Sequence, residues 1–114
     1  MRILVCGSRI WKDREGIKVN LASYAAHDPV VIHGGARGAD TIAGEVAKEL
    51  GFEVEVFPAD WNKHGKTAGF IRNQQMLDEG KPDRLLAFHL NNSRGTQDMI
   101  DRAQKAGLLT IVWG

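Results

Sequence analysis

The sequence predicts a doubly wound α/β sandwich, with a five-stranded parallel sheet carrying helices on both faces. Three observations predict it. Short apolar runs alternate with amphipathic stretches of helical period, the pattern of strand–helix–strand crossovers. The apolar runs are near-continuous, as strands buried on both faces must be. The longest connection, residues 58–83, falls where the chain must recross the sheet if the strand order is 3-2-1-4-5. The order 2-1-3-4-5 is the alternative a doubly wound sheet allows.

The expected strands are residues 3–6, 29–32, 53–57, 84–88 and 109–113. Four helical patterns separate them. The first starts near Asp13, a good N-cap, and places Ile17, Leu21 and Tyr24 on one stripe. In the second, Ile42, Ala43, Val46, Ala47 and Leu50 recur at helical spacing, and Gly51 closes it. The third, residues 67–79, is the least regular and ends before Lys81-Pro82. The fourth carries Met99, Ile100, Ala103 and Ala106 and stops at Gly107. No repeat, low-complexity tract or linker interrupts this order, so residues 1–114 read as a single domain.

Composition narrows the function classes. Charged residues make up 25% and the formal net charge is +1, so there is no general attraction to polyanions. Any phosphate or nucleic-acid contact must be local, and nucleic acid is not expected as a partner. The single cysteine, Cys6, excludes an internal disulfide and fits a reducing compartment. The apolar run from Ile3 to Cys6 is too short for a signal-peptide core, and no run is long enough to span a bilayer. We therefore expect a cytoplasmic protein with no membrane association.

In an open parallel sheet, ligands bind beyond the carboxyl ends of the strands, at the point where strand order reverses. Four segments should meet there: Gly7-Ser8-Arg9, Gly34-Gly35-Ala36-Arg37-Gly38-Ala39-Asp40, residues 60–66, and Asn91-Asn92-Ser93-Arg94-Gly95-Thr96. Helices begin at or just after such loops, so free N–H groups and positive dipole ends point the same way, and glycines permit close approach of a phosphate. Of the eight arginines, Arg9, Arg37 and Arg94 fall on this rim, and Arg72 lies in the helix after the long connection. Guanidinium forks match phosphate oxygens, although solvated loop arginines would look the same in sequence. The glycine segments match neither a Walker A loop nor the dinucleotide fingerprint, so ordinary NAD-dependent redox chemistry is not expected.

Taken in order from Met1 to Gly114, Gly7-Ser8-Arg9, Gly34 through Asp40, Pro58-Ala59-Asp60-Trp61, Gly65-Lys66, Ala68-Gly69 and Arg72-Asn73 resemble the YspA-like branch of the SLOG superfamily. That superfamily includes the LOG phosphoribohydrolases, often labelled lysine decarboxylases, and the DNA-processing protein DprA. The resemblance implies a Rossmann-like fold and a pocket for a nucleotide or nucleotide-derived ligand, of NAD, ADP-ribose or nucleoside monophosphate type. It implies ligand contacts at Gly7, Ser8, Arg9, Gly34, Gly35, Arg37, Gly38, Asp40, Arg72, Asn73, Arg94, Gly95 and Thr96. Self-association into a homodimer or higher homo-oligomer is implied as well. In LOG enzymes a Pro-Gly-Gly-x-Gly-Thr-x-x-Glu motif holds the phosphate. Here Gly95 and Thr96 are kept, Asn92 and Ser93 replace the first two glycines, and Met99 takes the glutamate position.

That replacement shapes the functional expectation. Cleavage through an oxocarbenium-like state needs a carboxylate, which Met99 does not supply. If the protein is an N-glycosidic hydrolase acting on nucleotides, the catalytic candidates are Arg72 with Asp98 or Asp40. The leading expectation is binding or sensing of the ligand without turnover, with LOG-type hydrolysis and DprA-like single-stranded DNA binding as alternatives. No cofactor or metal is required: His27, His33, His64 and His89 show no metal-ligand spacing. Cys6 reads as a small buried apolar residue, since a thiolate would need a basic partner such as Arg9, His33 or His89. Thr96 suits a helix N-cap. Trp11 and Trp61 are expected on the ligand side, free either to stack on a base or to pack a loop. Trp113 is expected in an edge strand or at an oligomer contact.

Overall fold

The five apolar runs become parallel strands in a computed structural model of the chain, which describes residues 1–90 and 93–114. In chain order the elements are β1 (Arg2–Gly7), α1 (Arg14–Ala22), β2 (Val30–His33), α2 (Ala39–Glu49), β3 (Glu53–Val56), α3 (Trp61–His64), α4 (Ala68–Gly80), β4 (Arg84–Phe88), α5 (Arg94–Lys105) and β5 (Leu109–Trp113). The sheet order is β3-β2-β1-β4-β5, the expected 3-2-1-4-5. The central strand β1 sets Ile3 opposite Val31 and Arg84, and Leu4 opposite Ile32 and Leu85.

Alternation along the strands builds two cores. Ile3, Val5, Val31, Leu86 and Phe88 face α1 and α2, which contribute Ile17, Leu21, Ala43, Val46 and Ala47. Leu4, Cys6, Ile32, Leu85 and Ala87 face α4 and α5, which contribute Met76, Met99, Ile100 and Ala103. The result is a three-layer sandwich. Ala39, Ala43 and Ala47 recur every fourth residue on α2 and are fully buried, so small side chains let that helix lie close to the sheet. At the sheet edges the pattern relaxes. In β3, Glu53 and Glu55 alternate with valines, and Glu55 pairs with Arg2 at 2.7 Å.

The helix signals hold locally, with shifts. Asp13 caps α1 by accepting from the Gly16 N–H at 3.0 Å, but the helix stops at Ala22. Tyr24 instead opens a short 3₁₀ turn, Ala25–His27, and packs at the margin of the first core. Strand β2 runs one residue later than expected because Pro29 has no N–H to give a ladder, so His33 belongs to the strand. The long connection holds an unexpected one-turn helix, α3, whose cap Asp60 accepts from the Lys63 N–H at 3.1 Å. Helix α5 begins at Arg94, so Arg94, Gly95 and Thr96 form its first turn rather than a loop. Ser93, not Thr96, holds the N-cap position, and the two hydroxyls lie 2.9 Å apart. Among the described residues no helix is long and apolar enough to cross a membrane.

Candidate functional site

The β2–α2 segment His33-Gly34-Gly35-Ala36-Arg37-Gly38-Ala39-Asp40 is held from within. Asp40, in the first turn of α2, is buried, and its Oδ2 accepts from the N–H groups of Gly34 at 2.9 Å and Ala36 at 3.4 Å. His33, at the end of β2, accepts the Gly35 N–H on Nδ1 at 3.0 Å. Three successive N–H groups are thus satisfied by the protein's own side chains. The expectation that this glycine run cradles a phosphate with free amides is corrected for those three positions: an amide already donating inside the fold has no second hydrogen to give.

The glycines answer to packing instead. Gly38 has φ 75°, and a Cβ there would overlap the Ser8 carbonyl oxygen and stand 2.6 Å from the Arg9 backbone. A Cβ on Gly34 would strike the Arg72 guanidinium, and one on Gly44 would lie 2.5 Å from His33 Nε2. Gly7 has no room against Ala39 and the Phe88 carbonyl. Ser8 is also committed. Its hydroxyl donates to the Leu90 carbonyl at 2.7 Å and accepts from the Leu90 N–H at 2.6 Å, while its carbonyl accepts from Ala39 N–H at 3.2 Å. It ties the ends of β1 and β4 to the start of α2 and lies outside the cleft lining, contrary to the expected ligand contact.

A cleft of about 300 Å³ opens beside this loop at the carboxyl end of the sheet, on the α4–α5 side. Its floor is Cys6 and Gly7 from β1, Ala36 and Asp40 from the β2–α2 segment, and Met76 from α4. Trp61 of α3 and Phe70 of α4 form an aromatic wall, and Arg94, Gly95 and Thr96 bring the open turn of α5 to the other side. Nothing lies within 4 Å of where a Gly95 Cβ would be. Arg9, Lys66, Arg72 and Arg94 line the cleft against a single carboxylate, Asp40. A shallower groove bounded by Arg9, Gly35, Ala36, Arg37 and Trp61 continues from it.

Arg72 braces the floor. It donates from Nη1 to the Gly34 carbonyl at 2.5 Å and from Nε to Asn73 Oδ1 at 3.2 Å. Asn73 in turn donates to the Gly95 carbonyl at 3.2 Å and to Asp98 at 3.0 Å, joining α4 to α5. Asp98 also accepts from Arg102 at 2.8 Å and is absent from the cleft lining. Of the two expected carboxylates, the structure therefore brings only Asp40 to the cleft. Met99 is fully buried in the second core. The Asn91-Asn92 part of the expected phosphate motif lies outside the described residues.

Electrostatics follow from burial. Removal from water pushes the Asp40 carboxyl up to about 6, against the pull of Arg72, the two loop amides and Arg9. Burial raises the Cys6 thiol well above its ordinary value, Asp40 adds to the rise and Arg72 opposes it, so the group stays a thiol. Burial lowers His33 to about 4, helped by Lys48 and Arg72, which keeps the imidazole neutral and Nδ1 free to accept. The Arg72 guanidinium is lowered by burial and supported by Asp40. Among the described residues no three His, Cys, Asp or Glu side chains gather where a metal could bind.

The arginines sort into two sets. Arg2, Arg14 and Arg102 form ion pairs with glutamates or an aspartate, and Arg84 lies over the Tyr24 ring with its centroid 5.2 Å away. Arg9, Arg37 and Arg94 form no ion pair among the described residues, and all three sit at the cleft or its groove. Two of the expected tryptophan roles also separate. Trp61 lines the cleft, whereas Trp11 packs edge-on against Phe88 at 5.2 Å. Trp113, in edge strand β5, stacks on Phe88 with ring centroids 4.8 Å apart. Gly69, Phe70 and Met76 were not marked by sequence as site residues. Their spacing with Arg72 and Asn73 defines one face of α4, but a helix face that serves both core and cleft gives one periodicity for the two.

The family model of the YspA, cpYpsA-related SLOG family matches residues 1–64, from β1 through α3. The chain belongs to that family. The Gene 61 protein of Mycobacterium phage D29 is 46% identical to this SLOG protein over 121 residues, spanning 99% of this chain and 96% of that one. Among solved structures, DNA processing protein A (DprA) from Streptococcus pneumoniae superposes with a TM-score of 0.56 at 13% identity. The match covers 96% of this chain and 58% of DprA, and it shows the shared Rossmann-like fold.

Proposed function

We propose that this SLOG protein binds a nucleotide-derived anion in the cleft and does not turn it over. The observation that carries the reading is the placement of the arginines: Arg9, Arg37 and Arg94, which form no ion pair among the described residues, gather with Arg72 at one cleft and its adjoining groove, in a chain of net charge +1. A phosphate fits the open first turn of α5, where Gly95 leaves room and Arg94, Arg72 and Lys66 supply charge. A base fits against Trp61 and Phe70. The family and the fold support a ligand of this class.

Asp40 favours a second reading, hydrolysis of a nucleoside monophosphate to base and ribose phosphate. A carboxyl held at about 6 exchanges its proton near neutral pH, and it lines the cleft. Against turnover, its Oδ2 already holds the loop, Asp98 is tied to Asn73 and Arg102, and Met99 is core. A thermal-shift panel of AMP, NAD and ADP-ribose at millimolar concentration, followed by chromatography for free base, separates the readings. We expect stabilisation by at least one compound and no base release. Base release that Asp40→Asn abolishes establishes the hydrolase, and no stabilisation by any compound refutes binding.

A further inference from the structure

We propose that the groove between Arg9 and Arg37 is a second anion subsite, which selects nucleotides carrying a second phosphate over monophosphates of the same base. The proposal rests on the nucleotide-binding reading of the main cleft and adds a specificity to it. The groove shares Arg9, Ala36 and Trp61 with the cleft, so the two adjoin and the same side chains face a ligand in either. Its own additions are Gly35 and Arg37. Arg37 is exposed and, among the described residues, has no ion-pair partner.

The backbone at the groove has little to donate. The Gly35 N–H goes to His33 and the Ala36 N–H to Asp40. Among the described residues no carboxylate lines the groove: Asp40 is bonded inward to its own loop, and Asp60, next to Trp61, caps α3 by accepting from the Lys63 N–H. What the groove offers an anion is two guanidinium forks beside the half-exposed face of Trp61. Guanidiniums recognise the paired oxygens of a phosphate, whereas a neutral base or sugar gains little from them.

The test is calorimetric titration of AMP, ADP, GMP and GDP into the wild-type protein, Arg37→Gln and Lys105→Gln at fixed ionic strength. Lys105→Gln makes the same change in net charge at the far end of α5, about 16 Å along the helix from Arg94 and outside the lining of both cleft and groove. Wild type is expected to bind each diphosphate roughly tenfold tighter than its monophosphate. Arg37→Gln should weaken each diphosphate roughly tenfold more than its monophosphate and so remove that advantage, while Lys105→Gln leaves it intact. Equal weakening of mono- and diphosphate by Arg37→Gln, or an equal effect of Lys105→Gln, overturns the subsite. Monophosphate binding with no diphosphate advantage overturns it too and leaves the parent reading standing. If no nucleotide binds the wild-type protein, both fall.

Discussion

Asp40 and His33 hold one loop through opposite protonation demands. The Asp40 carboxyl is raised to about 6 by burial, so its contribution to stability is greatest in acid and is lost as pH rises through that value. His33 is lowered to about 4, so its contribution is present at neutral pH and is lost as pH falls toward 4. Over the window from about 6.5 to 4 the two oppose each other, each on the order of 2–3 kcal/mol. Asp40→Asn keeps an oxygen acceptor for the Gly34 N–H but removes the titration. The variant's melting temperature should therefore fall more steeply than wild type on acidification from pH 6.5 to 4. Thermal melts across that range check it, and a slope no steeper than wild type refutes the opposition.

At the scale of elements, the glycines of the candidate site separate into those that let elements touch and those that leave space for a ligand. Gly38, at positive φ and against the Ser8 and Arg9 backbone, lets the start of α2 dock onto the end of β1. Gly38→Ala should cost about 2–4 kcal/mol in denaturant unfolding, because neither the backbone angle nor the neighbouring carbonyl can yield cheaply. Gly95, with open space around it in the first turn of α5, should behave oppositely. Gly95→Ala is expected to leave stability unchanged or raise it by up to about 1 kcal/mol, while weakening nucleotide binding. Comparable destabilisation by both substitutions would argue that the α5 turn is a packing site as well.

For the molecule as a whole, net charge and charge placement make different statements. A formal charge of +1 gives no general attraction to a polyanion, yet the cleft is lined by four cations and one carboxylate. A small phosphate ligand can use that local field, while a long single strand needs a charged track and stacking platforms along its length. A mobility-shift assay with a single-stranded oligonucleotide at about 150 mM salt should therefore show no retained complex. A retained complex whose affinity falls steeply with salt would favour nucleic acid as the partner instead.

The sequence by itself determined the layer architecture and the carboxyl edge of the sheet as the place for a candidate site, and it favoured the observed strand order over 2-1-3-4-5. Each of these follows from periodicity and from the handedness of crossovers, which are local properties repeated along the chain. It also placed Arg9, Arg37, Arg72 and Arg94 around that edge. What only the tertiary structure decided is which groups remain free. The amides of Gly34, Gly35 and Ala36 look available in sequence, but Asp40 and His33 fold back onto them. Ser8 looks like a ligand contact, but it is spent on Leu90, far along the chain. Asp98 and Asp40 look equivalent as carboxylates, yet only one lines the cleft. A hydrogen bond consumes a donor whatever its partner's distance in sequence, and those long-range partners appear only once the sheet has brought them together.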